Sequence, residues 1–359
     1  MRHLENILMK QPPFKYNIGE DVKVILTHLS QELELFNNKK ILITGGTGFF
    51  GRWLLQILCT LISVKKFQIE IYVVSRDPDR FLYEHADFPF VSYINFIKGD
   101  ISSFQLPKFE LDYLIHMATT AAGETYAGED QLKKIELLYE GTKNTLENAI
   151  TNGVKKVLFT SSGVAYGPAD GEPLSERMLQ APMTTLTSSA LGEGKRLAEY
   201  LIAYYAFKAG YQYSIARCFS FYGPYLPLDI HYAIGNFVRD ALQKPEITIN
   251  GNGQELRSYL YIADAWVWLL KLLTLSDGEI YNVGSSKAIS IGDLATQIRD
   301  TLSPEKELKF LGLTQDTGNF TRNIYVSNND KIRSKLKVAE WTSLEDGVKK
   351  MAHQEVEKK

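Results

Sequence analysis

A short apolar run, Lys40-Ile41-Leu42-Ile43-Thr44, ends directly on Gly45-Gly46-Thr47-Gly48-Phe49-Phe50-Gly51, and an apolar helical stretch follows to about Ser63. This spacing of glycines between a strand and a helix leaves the chain few options. The first glycine permits a tight turn, the second lets the backbone approach a pyrophosphate, and the third lets helix and strand pack closely. The helix that opens there turns its N–H groups and the positive end of its dipole toward an anion. The turn therefore predicts a dinucleotide site, with Gly45, Thr47, Gly48, Phe49, Phe50 and Gly51 as cofactor-binding residues.

The rest of the chain fits a doubly wound frame. Further short apolar runs lie at 69–74, 93–98, 111–116, 157–160 and 213–217, with helical patterns at 133–150 and 193–209 between them. Strands alternating with helices predict parallel β-α-β units, and near-continuous apolar strands predict a sheet covered on both faces. After Phe221 the rhythm breaks at Pro224, Pro227 and Pro245. Helices are expected near 234–242, 264–275 and 291–302, with a late strand at 280–283 that could return to the main sheet. The expected fold class is thus α/β, a Rossmann-type doubly wound parallel sheet with a smaller C-terminal substrate domain. Its expected parts are an N-terminal helical extension over 1–38, a dinucleotide-binding domain over 39–220 and a mainly substrate-binding region over 221–359. In the extension, Val22, Val24, Ile25, Leu29, Leu33 and Leu35 recur at roughly helical spacing before Asn37-Asn38, predicting one helix that packs on the main body or on a partner subunit.

Composition removes several function classes. The 359 residues carry a net charge of −2, which argues against a nucleic-acid binder. The two cysteines, Cys59 and Cys218, sit in apolar surroundings and make neither a disulfide framework nor a metal cluster. No apolar run is long enough to span a bilayer, and no signal-peptide pattern opens the chain, so a cytoplasmic protein is expected.

The end of the second strand bears on the cofactor. An acidic residue there would accept from the adenosine ribose of NAD. The sequence reads Val74-Ser75-Arg76-Asp77, and Arg76 can pair a 2′-phosphate, so NADP is favoured over NAD while Asp77 keeps NAD open. Asp100, in Gly99-Asp100-Ile101, is either an adenine contact or a turn aspartate.

At this point the chain resembles the extended short-chain dehydrogenase/reductase family of NAD(P)-dependent nucleotide-sugar epimerases, dehydratases, decarboxylases and reductases. The matching stretches are Thr44–Gly51, His116-Met117-Ala118, 160–167, 192–196, 217–224 and 257–264, so the resemblance spans about residues 40 to 335. It implies a nucleoside-diphosphate sugar as ligand, a role in surface-polysaccharide or deoxysugar synthesis, and a homodimer formed by the helices near 133–150 and 193–209. It also implies Ala118 beside the cofactor. In this family a Ser or Thr, a Tyr and a Lys cooperate while hydride moves between the sugar C4 and the nicotinamide. Ser162 stands at the Ser/Thr position and Lys195 at the lysine position, where it would bind the nicotinamide ribose and lower the phenol pKa.

Two positions depart from the pattern. The tyrosine position, four residues before Lys195, holds Leu191, and a leucine cannot exchange a proton. Four explanations stay open: an introduced substitution, natural loss of redox activity, replacement by another group such as Tyr166, or a reaction that needs no such base. The Asp-Glu pair of the dehydratases is replaced by Gly163 and Val164, which argues against standard 4,6-dehydration. On the substrate side the resemblance places Ser162, Ser220, Asn236, Arg257 and Arg322, the arginines on the diphosphate through their planar fork of donors. Asn236 could instead cap a helix, and Arg322 could instead make a surface ion pair. His231 and His116 read as structural more readily than as acid/base groups. No metal-ligand spacing is present.

Overall fold

Strand β1, Lys39–Thr44, is buried along its last four residues, and its alternate side chains feed two separate cores. Ile41 and Ile43 join one, Leu42 the other. A strand apolar on both faces must lie inside a covered sheet. The computed structural model describes residues 18–84, 91–119, 128, 130–168, 171–230, 232–312 and 323–357.

The main strands are β1, β2 (Ile69–Ser75), β3 (Ile94–Lys98), β4 (Tyr113–His116), β5 (Lys156–Ser162), β6 (Gln212–Cys218) and the late strand Ile280–Val283. Among the described residues they form a seven-stranded sheet in the order Ile280–Val283, β6, β5, β4, β1, β2, β3. Every neighbouring pair is parallel. The chain runs outward from β1 through β2 to β3, then crosses to β4 on the other side of β1. Strand order therefore reverses between β1 and β4, where a doubly wound sheet opens a crevice at its C-terminal edge.

Helices cover both faces. The helix Phe49–Lys65 buries Trp53, Leu54, Ile57, Leu58 and Leu61 against one. The helices Gln131–Thr151 and Ala190–Ala209 bury Leu146, Ala149, Ala198 and Ile202 against the other. The thiols of Cys59 and Cys218 are buried and unbonded to each other, and burial pushes both up to about 12.

Among its described residues, 18–38, the N-terminal extension is not one helix. It forms Ile18–His28 and then a separate 3-10 turn, Leu33–Phe36. The break follows from packing. Val22, Ile25, Leu29 and Phe36 are all buried, while Glu32 turns away to pair with Lys271 at 2.6 Å. Asp21 accepts a hydrogen bond of 2.7 Å from the Tyr261 hydroxyl and pairs with Lys350. Residues 18–36 thus pack on the body of their own chain. Past Phe221, short strands at Ile247–Ile249 and Leu308–Phe310 pair beside the helices Ala233–Gln243 and Ile291–Leu302. Two more helices, Asp330–Leu336 and Leu344–Glu357, follow. The aromatic residues Tyr261, Trp266 and Trp268 are wholly buried and act as core.

Candidate functional site

The glycine turn sits at the reversal point. Gly45 has φ +74°, and a Cβ there would meet the backbone of Met117 and Ala118 at 2.9 Å. Only a glycine lets β1 end this close to the end of β4. At Gly51 a Cβ would overlap the Gly46 backbone at 2.2 Å, so the helix Phe49–Lys65 can seat on the turn only through a residue without a side chain. Gly48 differs. The nearest protein atom to its would-be Cβ is the Gly45 carbonyl at 3.6 Å, an ordinary contact. Protein packing does not demand glycine at 48, whereas a ligand lying against that backbone would.

The other cofactor candidates surround this turn. The Thr47 carbonyl accepts from Arg52 Nε at 3.4 Å. Phe49 and Phe50 open the helix, but the Phe50 ring packs on Phe221, with centroids 5.0 Å apart, and on Trp266. What Phe50 can offer a phosphate is its place at the helix N-terminus, not its ring. Ser75 ends β2 and is buried, with Arg76 exposed beside it. Asp77 Oδ1 accepts from the Arg80 amide at 3.0 Å and so closes the first turn of the short helix Pro78–Glu84. Asp100 Oδ1 accepts from the Ser102 amide and hydroxyl, which makes it a turn aspartate.

His116 is structural. Thr44 Oγ1 accepts from the amides of Met117 and Ala118, each at 3.2 Å, and lies 2.6 Å from His116 Nδ1. His116 Nε2 lies 3.0 Å from Thr142 Oγ1. These contacts suit a neutral ring that accepts at Nδ1 and donates at Nε2. Burial first, and then the nearby Lys195 charge, push its pKa down to about 3. The ring ties β4 to β1 and to the helix Gln131–Thr151.

Lys195 stands in the helix Ala190–Ala209, fully buried. Its Nζ donates to the Thr160 carbonyl at 2.8 Å and lies 4.9 Å from the centre of the Phe159 ring. Burial pushes the ammonium down to about 8, against a weaker opposing pull from the Glu199 carboxylate. Leu191 is one turn earlier, half-buried, on the same face. That turn is pressed against the segment after Ser162, for a Cβ on Gly192 would come within 2.8 Å of the Val164 carbonyl. Ser162 ends β5, and its Oγ accepts from the Val164 amide at 3.3 Å. The turn that carries Leu191 thus lies against the segment after Ser162, Lys195 reaches the carbonyl two residues before Ser162, and no proton-transfer group stands at 191.

Tyr166 does not fill that gap. Its ring is wholly buried beneath the Arg217 guanidinium, 4.3 Å away, and its hydroxyl donates to Asn282 Oδ1 at 2.8 Å. Burial pushes the phenol up to about 12 in spite of the Arg217 charge. It is a core residue.

Strand register assembles the substrate side. Ser220 pairs with Tyr259, two residues after Arg257, and Arg257 pairs with Tyr325. Asn236 lies within the helix Ala233–Gln243, whose N-cap is Tyr232, so the capping alternative for Asn236 fails. Arg322 and His231 lie outside the described residues. Tyr325 was not expected from the sequence. Its hydroxyl stands 2.8 Å from where a Cβ on Gly163 would be, and its ring packs on Phe219. The only signal was its place three residues after Arg322. Among the described residues no group of His, Cys, Asp or Glu could hold a metal ion, and no helix is long and apolar enough to cross a membrane.

A glycine turn at the strand-order reversal and a buried lysine bonded to the Thr160 carbonyl, two residues before Ser162, mark the candidate site. The model of the NAD dependent epimerase/dehydratase family matches residues 41–284, more than half of the chain. The chain belongs to that family. Within it, UDP-glucuronic acid decarboxylase 6 of Arabidopsis thaliana is 28% identical over 285 residues, covering 78% of this chain and 79% of the relative. The UDP-glucuronic acid 4-epimerase of Bacillus cereus, solved in complex with UDP-glucuronic acid and NAD, superposes with a TM-score of 0.73 at 22% identity over 89% of this chain and 100% of that one. A UDP-N-acetylglucosamine 4-epimerase from Methanobrevibacter ruminantium M1, in complex with UDP-N-acetylmuramic acid, gives a TM-score of 0.75 at 18% identity, over 90% of this chain and 100% of that one. The fold is that of the epimerase/dehydratase family.

Proposed function

We propose that this chain is an NAD(P)-dependent nucleotide-sugar epimerase or oxidoreductase that acts at the sugar C4 in surface-polysaccharide or deoxysugar synthesis. The observation that carries the reading is Gly48, a glycine that packing does not require at the mouth of a turn where packing does require Gly45 and Gly51. The cofactor pyrophosphate lies there, and Lys195 holds the nicotinamide ribose. Ser162 hydrogen-bonds the reacting oxygen. Ser220, Asn236, Arg257 and Arg322 hold the nucleoside diphosphate, a UDP-sugar by analogy with the ligands of the two epimerases. With Gly163 and Val164 after Ser162, water elimination by paired carboxylates is not part of the reaction.

Leu191 favours a second reading, a nucleotide-sugar and dinucleotide binding protein that no longer turns its ligands over. Both readings share the same ligands and differ only in chemistry. Homodimerisation belongs to both. The helix Ala190–Ala209 exposes Leu197, Tyr200, Tyr204 and Phe207 along one stripe, and Leu132 is exposed on the helix Gln131–Thr151.

On Arg76, NADP is retained over NAD, although the Bacillus cereus epimerase holds NAD. Binding of both dinucleotides to the wild type and to Arg76→Ala tests this choice. The substitution is expected to weaken NADP about tenfold more than NAD, the value of a charge-assisted phosphate contact. Equal effects on the two cofactors would overturn the assignment.

A further inference from the structure

Behind the site lies a buried ionic cluster to which none of the roles above has been given. Glu199 is one helix turn past Lys195, on the same face. Its carboxylate accepts from Arg217 Nε at 2.9 Å and from Arg217 Nη2 at 2.7 Å, and it also accepts from the Ser161 hydroxyl. Both side chains of the ion pair are about 8% exposed. Burying an ion pair costs desolvation that mutual attraction barely recovers, so such a pair contributes little net stability over an apolar pair of the same shape. Its value must be sought in what it positions.

The three partners come from three elements. Glu199 is on the helix that carries Lys195, Arg217 is on β6, and Ser161 is on β5 between Thr160 and Ser162. Thr160 gives the carbonyl that receives Lys195, and Ser162 is the hydroxyl of the site. Strand side chains alternate, so a tether on Ser161 pulls from the side opposite to Ser162 and fixes which way Ser162 points. Beyond Arg217 the cluster continues through the Tyr166 ring to Asn282, whose side chain donates to the carbonyls of Leu174 and Asn328. Asn328 lies three residues past Tyr325, in the segment that pairs with Arg257.

We infer that Glu199 is a positioning residue, which through Ser161 and Arg217 holds the Thr160 carbonyl and the Ser162 hydroxyl in register with Lys195. The groups that face Lys195 are then unequal. From β4 comes neutral His116, from β6 the protonated Cys218 thiol, and from its own helix Glu199, the one carboxylate among the causes acting on it. Removing the Glu199 charge leaves Arg217 uncompensated nearby, and both changes disfavour the Lys195 ammonium.

The test uses the full chain as wild type, Glu199→Gln and Ser161→Ala, with melting temperature followed throughout. Lysine Nζ signals in ¹⁵N NMR give the Lys195 titration midpoint without any ligand, and NAD titration gives cofactor affinity. The latter readout alone rests on the function proposed above. In Glu199→Gln the Lys195 midpoint is expected to fall by about one pH unit and NAD affinity by about tenfold. Ser161→Ala keeps the ion pair and removes only the strand tether, so NAD affinity is expected to fall about threefold with little change in melting temperature. A Glu199→Gln protein that melts earlier yet keeps the wild-type midpoint and affinity would reduce Glu199 to a structural role and overturn the inference. If that variant does not fold, unchanged NAD affinity in Ser161→Ala overturns it. A wild type that binds no NAD would contradict the proposed function, and the Lys195 midpoint would still decide the role of Glu199.

Discussion

Leu191→Tyr is expected to raise the rate at which a UDP-sugar reduces bound nicotinamide by about a hundredfold or more, the usual contribution of a placed acid/base group. Residue 191 lies four positions before Lys195 on one helix face, and its turn is pressed against the segment that follows Ser162. A phenol there would stand between an ammonium, which lowers its pKa, and a serine hydroxyl, which shares the substrate oxygen. The leucine is half-buried, so the larger ring has space toward the crevice. Stopped-flow absorbance of the reduced nicotinamide, over a panel of UDP-sugars, measures the gain. A variant that folds, binds both ligands and stays as slow as the wild type would show that more than the base is missing. A wild type already fast would show that leucine at 191 does not limit the reaction.

Gly51→Ala and Gly48→Ala are both expected to lose dinucleotide affinity, but only Gly51→Ala is expected to lose stability as well. At Gly51 the new methyl would overlap the Gly46 backbone at 2.2 Å. Backbone cannot swing aside as a side chain can, so the helix must lift from the turn, at a cost of about 3 kcal/mol or more. The melting temperature drops, and dinucleotide affinity drops with it. At Gly48 the new methyl finds its nearest neighbour at 3.6 Å and the backbone is extended, with φ −83° and ψ −174°. Stability should change by less than about 1 kcal/mol, an ordinary N-cap effect. Dinucleotide affinity should nevertheless fall at least about tenfold, because the methyl occupies the place of the pyrophosphate. Thermal melts and calorimetric titrations of the two variants separate these outcomes. If Gly48→Ala bound the cofactor as the wild type does, the pyrophosphate would not lie where the account puts it.

The sheet was legible in the sequence because buried parallel strands are written as uninterrupted apolar runs. The strand at 280–283 could be read for the same reason, and it does pair with β6. The extension was legible as helical but not as broken, since periodicity does not register the pull of Lys271 on Glu32. The helices Asp330–Leu336 and Leu344–Glu357 were missed; the first buries Ile332 alone, whereas in the second Leu344, Val348, Met351 and Ala352 stand at helical spacing and could have been read. The candidate site residues Gly45–Gly51, Ser162 and Lys195 were proposed from the sequence because each belongs to a motif local in the chain. Tyr325 and the pair Glu199–Arg217 were not. They are brought to the site by strand register and by packing of a helix on two strands, which no local spacing records.

Gly45–Gly51 is expected to seat a nicotinamide dinucleotide beside a nucleotide-sugar site. Native mass spectrometry of the purified chain, before and after addition of NAD, NADP and UDP-sugars, tests it most directly. The account predicts one dinucleotide per chain and, with it, one UDP-sugar, the dinucleotide being lost in Gly48→Ala. A wild-type chain that carries no dinucleotide and takes up none from excess NAD or NADP would contradict it.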